Sequence, residues 1–386
     1  MIRDYLARAA RWVGGMPSVE VHVPVSPTPT FFNMVRCLAL SLRKFGGACR
    51  DAPIILSVGD DVIDPALADR QPWLGPLGVE LRWVPEAFYR AHSYSGTGAW
   101  MFEHDDRSDV VLILDADVLV AGPIDAMVRD VHRRQHFAGM MAVASPLLFF
   151  EEPTTWADLY AHRGIDRVPD LSHEYVGWPY FKSGAEGDRH GPPYFNFGVV
   201  RAPASMMMRI GARYFGHFLR LLERSQIALL TQVALTMTRV ELDLPFRKLP
   251  VTDDFANDLI MEALLGPELP DARFLHLFGQ LQINNREWYA DLKVIRETVR
   301  RTDLRGVSRR VQQVLAAIEP GLVGDGNSTG GRVENAGLDS VESGAGVVDS
   351  RVESKLRPKG ATRGISRPPW RPCTGSCRYP CPSIPS

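Results

Sequence analysis

Short apolar runs alternate along the first third of the chain with segments whose apolar residues recur at helical spacing. Val19 to Val25 reads as a strand, and Phe31 to Phe45 as a helix with Leu38, Leu42 and Phe45 on one face, closed by Gly46-Gly47. Pro53 to Val58 and Val79 to Val84 read as the second and third strands, and Val110 to Leu114 as a fourth, apolar enough to be buried on both faces. Strands alternating with helices predict an α/β fold with a mainly parallel sheet covered by helices. The first crossover, SPTPTFFNMV, has no Gly-x-Gly-x-x-Gly, so a dinucleotide fingerprint is absent.

The fourth strand ends in two carboxylates, Asp115 and Asp117, flanking one small residue. Ligands of open α/β sheets bind beyond the carboxyl ends of strands. Two aspartates so spaced can share a hard divalent cation, Mn²⁺ or Mg²⁺, that keeps positions open for phosphate. A strand running out into an acidic turn reads the same way, so this pair alone leaves structure and function both open.

Later segments add candidates. In AHSYSGTGAW, Gly96 and Gly98 around Thr97 predict either a loop whose amides approach a phosphate or an ordinary surface loop. The segment from Phe149 to Pro193 carries Trp156, Tyr160, Tyr175, Trp178, Tyr180 and Phe181 among many prolines and glycines, faces that can stack on sugar rings or pack beneath a long excursion. In GPPYFNFGVVRAPAS, Asn196 and Gly198 suit a backbone that approaches a ligand closely, or an edge strand with a glycine bulge. Helices follow at Met206 to Glu223 and Ser225 to Thr238, the second containing Gln232, and a late strand, Arg273 to Leu277, delivers His276. Asp253 and Asp254 are spare carboxylates, suited to a base or to a helix N-cap.

Composition narrows the picture. The chain of 386 residues is 45% apolar, enough for a large core, and its 44 basic against 45 acidic residues give no field that would draw it to nucleic acid. The longest apolar run, Met140 to Phe150, is broken by Ser145 and Pro146 and is too short to span a bilayer. Cys37 and Cys49 alone precede the last residues, which predicts a reducing, cytoplasmic setting. The piece MIRDYLARAARWVGG has an amphipathic pattern, read as a helix docked on its own domain in preference to one lying on a membrane. Leu304 to Ile318 predicts an amphipathic helix with Val307, Val311, Val314, Leu315 and Ile318 on one face. From Glu319 onward, glycine, serine, proline and charge predominate, a tail too poor in apolar surface to offset its ordering entropy, and its Cys373, Cys377 and Cys381 lack a fourth metal ligand.

Four blocks in this order, LDADVLV, YFNFGVV, TQVAL and FLHLFG, resemble the nucleotide-sugar glycosyltransferases of the GT-A fold, most closely glycosyltransferase family 8, the glycogenin-like and galactosyltransferase group. The resemblance covers roughly residues 19 to 300. It implies a transferase domain over 19–318, with 19–125 as its nucleotide-binding half and 126–318 as its acceptor half, between an N-terminal helix at 1–18 and a tail at 319–386. It also implies transfer from a nucleotide-diphosphate sugar, usually a UDP-sugar, to a glycan, lipid or small-molecule acceptor. The metal ligands it implies fall on Asp115, Asp117 and His276. Asn196 and Gly198 would line the sugar end of the donor, Gln232 would sit near the anomeric carbon and Gly279 would face the donor, while Thr97 and Gly98 are donor-site candidates from their small-residue segment alone.

The chain departs from the family where His-x-x-Gly-x-x-Lys-Pro-Trp is usual: His276 and Gly279 are present, then Gln282, Ile283 and Asn284, without the lysine that holds diphosphate. Arg286, or Arg247 and Lys248, could replace it. Thr231-Gln232 stands where the family has Asp-Gln, which leaves the stereochemistry of transfer open. Two rival readings are a glycan- or nucleotide-binding descendant without turnover and a haloacid-dehalogenase-like phosphatase with Asp115 as nucleophile. The second conflicts with the three strands predicted ahead of the Asp-x-Asp, a motif that begins the core of that superfamily.

Overall fold

Apolar strands buried on both faces build the core of the molecule. A computed structural model describes residues 15–323, apart from 103–106, 143–144, 151, 168, 176–188, 226–228, 278–281, 284–288 and 290. The expected N-terminal helix falls on residues outside this set as far as Gly14, residues 15–18 lead into the first strand without helix, and the tail beyond Val323 also lies outside it.

The chain opens with β1 (Val19–Val25), α1 (Pro29–Phe45), β2 (Ile54–Val58), β3 (Val79–Trp83), α2 (Glu86–Trp100), β4 (Val110–Leu114) and β5 (Val118–Val120). Then come α3 (Asp125–Arg134), β6 (Phe137–Met141), α4 (Trp156–His162), β7 (His173–Glu174), β8 (His190–Gly191), β9 (Phe195–Pro203), α5 (Ala204–Leu222) and α6 (Leu230–Glu241). The remainder is β10 (Phe246–Lys248), β11 (Phe255–Ala256), α7 (Leu259–Leu265), β12 (Phe274–His276), α8 (Leu292–Arg300) and α9 (Gly306–Val323).

Among the described residues, seven strands form the central sheet in the order β10-β6-β9-β4-β1-β2-β3. Its pairings are parallel except for those of β9, which runs antiparallel to both β4 and β6. This is the expected mostly parallel sheet with helices on both faces, and three strands do precede the Asp-x-Asp. The five residues of β4 are buried throughout. Val110, Leu112 and Leu114 face one core with α1 and α3, while Val111 and Ile113 face the other with α5 and α6. A polar residue at any of these positions would lie between two apolar layers, which is why the strand reads as a continuous apolar run.

The first helix starts where the sequence stops it unravelling. Thr28 caps it by accepting from the Phe31 N–H, Pro29 occupies the first turn, and the Gly46 N–H closes it on the Leu42 carbonyl. Val35, Leu38 and Leu42 on one face are fully buried, each worth about 1.5–3 kcal/mol relative to exposure. On the other side α1 meets α9, whose Val307, Val311, Val314, Leu315 and Ile318 are all buried. That helix runs five residues past the expected Ile318, to Val323.

Two sequence expectations need correction here. Residues 91–100 are not a loop but part of α2, which is interrupted only at Ser93 (φ 50°, ψ −146°). Its apolar partners override the glycines: the Phe88 ring packs against Phe215 and Trp100, and a Cβ on Gly96 would come 2.9 Å from Cβ of His92. The described aromatics of the 149–193 segment are core, not platforms, since Trp156, Tyr160 and Tyr175 are each at most 2% exposed. Trp178, Tyr180 and Phe181 lie outside the described residues.

A buried ion pair ties the central sheet to the segment before β11. Arg201 on β9 places Nη2 2.9 Å from Oδ2 of Asp253, both side chains being almost wholly buried, and Arg273 reaches Oδ1 of the same carboxylate at 2.5 Å. Removing one partner of a buried pair strands the other charge. Asp253→Ala is expected to lower unfolding free energy by about 3–5 kcal/mol, read from urea denaturation, while Arg201→Met combined with Asp253→Leu recovers most of that loss.

Candidate metal centre

The second, smaller sheet brings the site together. Its order is β11-β12-β5, with β12 antiparallel to β5 and parallel to β11. The chain leaves β4 at Leu114, turns through Asp115, Ala116 and Asp117, and re-enters as β5 at Val118. In the β5–β12 register His276 lies opposite Val118, and the Leu277 N–H donates to the Asp117 carbonyl at 3.0 Å. A histidine 159 positions after Asp117 is thereby set beside it by backbone hydrogen bonds alone.

Nε2 of His276 stands 3.5 Å from Oδ2 of Asp115 and 3.4 Å from Oδ1 of Asp117. The three side chains each offer a ligand atom within 4.8 Å of the others, and they are the residues among those described that could hold a metal ion in this region. The side chains of Asp115 and Asp117 are 34% and 17% exposed, that of His276 only 4%. The cluster is therefore closed on the histidine side and open on the aspartate side, as a centre that must admit a ligand requires.

Asp254, immediately before β11, completes the arrangement. Its carboxylate is buried, and Oδ1 lies 3.2 Å from Nδ1 of His276. Burial opposes an imidazolium at His276, but Asp117 and Asp254 by charge, and Asp115 and Asp117 by hydrogen bonding, outweigh it and hold the pKa well above the ordinary histidine value. Burial likewise raises the Asp254 pKa, against the charge of His276. Three carboxylates around one buried imidazole call for positive charge, and a divalent cation between Asp115, Asp117 and His276 fits that demand and the donor chemistry.

Gly198 makes room for this stack. It was expected to let backbone approach a ligand, but the close approach is internal: a Cβ there would collide with Nδ1 of His276 and stand 2.7 Å from Oδ1 of Asp254. Its carbonyl accepts from the Asp115 N–H at 3.3 Å, and its own N–H donates to Oδ1 of Asn196 at 2.7 Å. Asn196 thus commits one lone pair of Oδ1 to its own strand, and its amide Nδ2 remains a donor.

Other expected residues fare differently. Thr97 is fully buried on α2, where Gly59 packs against its hydroxyl, so it lines no phosphate loop, and Gly98 shares that helix. Gln232 lies on α6. Arg247 is exposed at the far edge strand β10 and paired with Asp130 at 2.6 Å, away from the fourth strand's end. Gly279 and Arg286 lie outside the described residues.

Sequence reasoning did not anticipate Tyr94. It follows the break at Ser93, packs its ring 5.6 Å from Phe31, and places its hydroxyl 3.4 Å from the Pro24 carbonyl. Burial, then the charges of Asp115 and Asp117, raise its pKa, which keeps it a neutral donor beside the cluster. The signal available was its position one residue from a strained non-glycine backbone, visible only in three dimensions.

Gly198→Ala is expected to push His276 off its position. Mn²⁺ affinity should fall by roughly 10–100-fold, followed through the free-ion signal in electron paramagnetic resonance, with overpacking costing about 1–3 kcal/mol of thermal stability in EDTA.

No family model matches the chain, and no curated protein matches it. Solved structures resemble it at low identity. Apo WbbM, a bifunctional glycosyltransferase, is 14% identical over 68% of this chain and 46% of its own, with a TM-score of 0.43, so the chain spans less than half of that protein. Apo mouse xyloside xylosyltransferase 1 is 12% identical over 69% of this chain and 99% of its own (TM-score 0.42). The galactosyltransferase LgtC in complex with donor and acceptor sugar analogues is 15% identical over 77% of this chain and 95% of its own (TM-score 0.45).

Proposed function

We propose that the chain is a metal-dependent glycosyltransferase that moves a sugar from a nucleotide-diphosphate donor, a UDP-sugar, to a glycan, lipid or small-molecule acceptor. The observation that carries this reading is the Asp115, Asp117 and His276 cluster at the carboxyl end of β4, beside the strand that bears Asn196. The four ordered sequence blocks that resemble family 8 supply the reaction class.

An imidazole among the ligands favours Mn²⁺ over Mg²⁺, which prefers oxygen alone. Bound there, the ion would stabilise the negative charge that collects on a departing diphosphate by several kcal/mol. The chain's own residues do the rest. Asp115 and Asp117, the more exposed pair, present carboxylates to the open side, while His276 closes the inner side and keeps water from it. Asn196 offers Nδ2 to the sugar, held in orientation by the hydrogen bond that its Oδ1 accepts. Tyr94 offers a neutral hydroxyl near the two aspartates. Gln232 is assigned to the reacting face of the sugar on the resemblance alone.

The protein incubated with UDP-, GDP- and ADP-sugars and Mn²⁺ is expected to release one nucleoside diphosphate. EDTA should stop the release, and Asp115→Asn with Asp117→Asn should slow it at least ~100-fold. Nucleotide release that ignores both treatments, or none from any donor, would count against the proposal.

A further inference from the structure

Two adjacent aspartates precede β11 and have opposite surroundings. Asp253 is held by two arginines. Asp254 is just as buried, at 2% exposure, yet among the described residues it has no cationic partner except the imidazole of His276, 3.2 Å away. A buried carboxylate is stabilised as an ion only by a partner, and the partner among the described residues is that ring.

The surrounding backbone fixes both groups. Ala256 pairs with His276 in the parallel β11–β12 register, and the Asn257 N–H donates to the His276 carbonyl at 2.9 Å. Gly198 leaves the gap into which the Nδ1 edge and Asp254 fit.

Resting on the metal-dependent reading above, we propose that Asp254 is a positioning residue for the metal ligand: it takes the Nδ1–H of His276, so that Nε2 presents its lone pair toward Asp115 and Asp117. Without that carboxylate the ring is free to bear its proton on Nε2, where a cation could not use it. Asp254 touches neither the ion nor the donor.

The test is Mn²⁺ binding by the full chain, measured by electron paramagnetic resonance for the wild type, Asp117→Asn, Asp254→Asn, His276→Gln and the double variant Asp254→Asn with His276→Gln. Asp254→Asn is expected to weaken Mn²⁺ by roughly 10–100-fold, and by less than about 2-fold when His276 is already glutamine, because its effect passes through that ring. Melting in EDTA should stay the same or rise, since a buried charge is gone; if the asparagine variant does not fold, Asp254→Leu carries the same comparison. Equal weakening in both histidine backgrounds, or unchanged affinity in Asp254→Asn alongside loss in Asp117→Asn, overturns the positioning role and leaves the metal centre standing. A wild type that binds no Mn²⁺ overturns the metal reading and this inference together.

Discussion

Negative charge gathered around one buried imidazole is the constraint on which the rest of this structure turns. Asp115, Asp117 and Asp254 all lie within 3.5 Å of His276 ring nitrogens, and no other cation reaches that point among the described ion pairs. Such an arrangement is unfavourable unless positive charge compensates it, by a proton on the ring or by a metal ion on the open side. The protein tolerates it because the flanking architecture over-determines the positions: a three-stranded sheet holds His276, a glycine makes room for it, and two arginines neutralise the neighbouring Asp253.

The scaffold explains why a site of this kind sits at the end of β4. β9 runs against its neighbours between β4 and β6, and through the Gly198 carbonyl it holds the turn bearing Asp115. The small sheet then crosses beyond the end of β4 and folds the late histidine back over that turn. Rigid strands deliver the inner ligand, while a turn delivers the two outer ones, so the histidine is the fixed reference and the aspartates the adaptable part.

Much of this was legible in the text of the chain. β1 and β4 appear at the residues predicted for them, β1 from valines alternating with other residues and β4 from the unbroken apolar stretch that a strand buried on both faces needs. α9 was legible as one amphipathic face. Other readings failed where local text was ambiguous: glycines at 96 and 98 suggested a loop, yet Phe88 and Trp100 had packing partners that made a helix the better solution. Gly198 was legible for the absence of a side chain, and the structure adds His276 and Asp254 as neighbours that require it.

By itself the sequence determined the strands, the helix faces and the pair of aspartates at a strand end, since periodicity and short-range spacing are local properties. Only the tertiary structure decided which distant residues meet those aspartates. The resemblance had already named His276; that its ring does reach them, that Asp254 stands behind it while Asp253 serves two arginines, and that Arg247 does not join the cluster all depend on strand register and sheet order. Those are set by long-range backbone hydrogen bonding, which leaves no periodic trace in the chain.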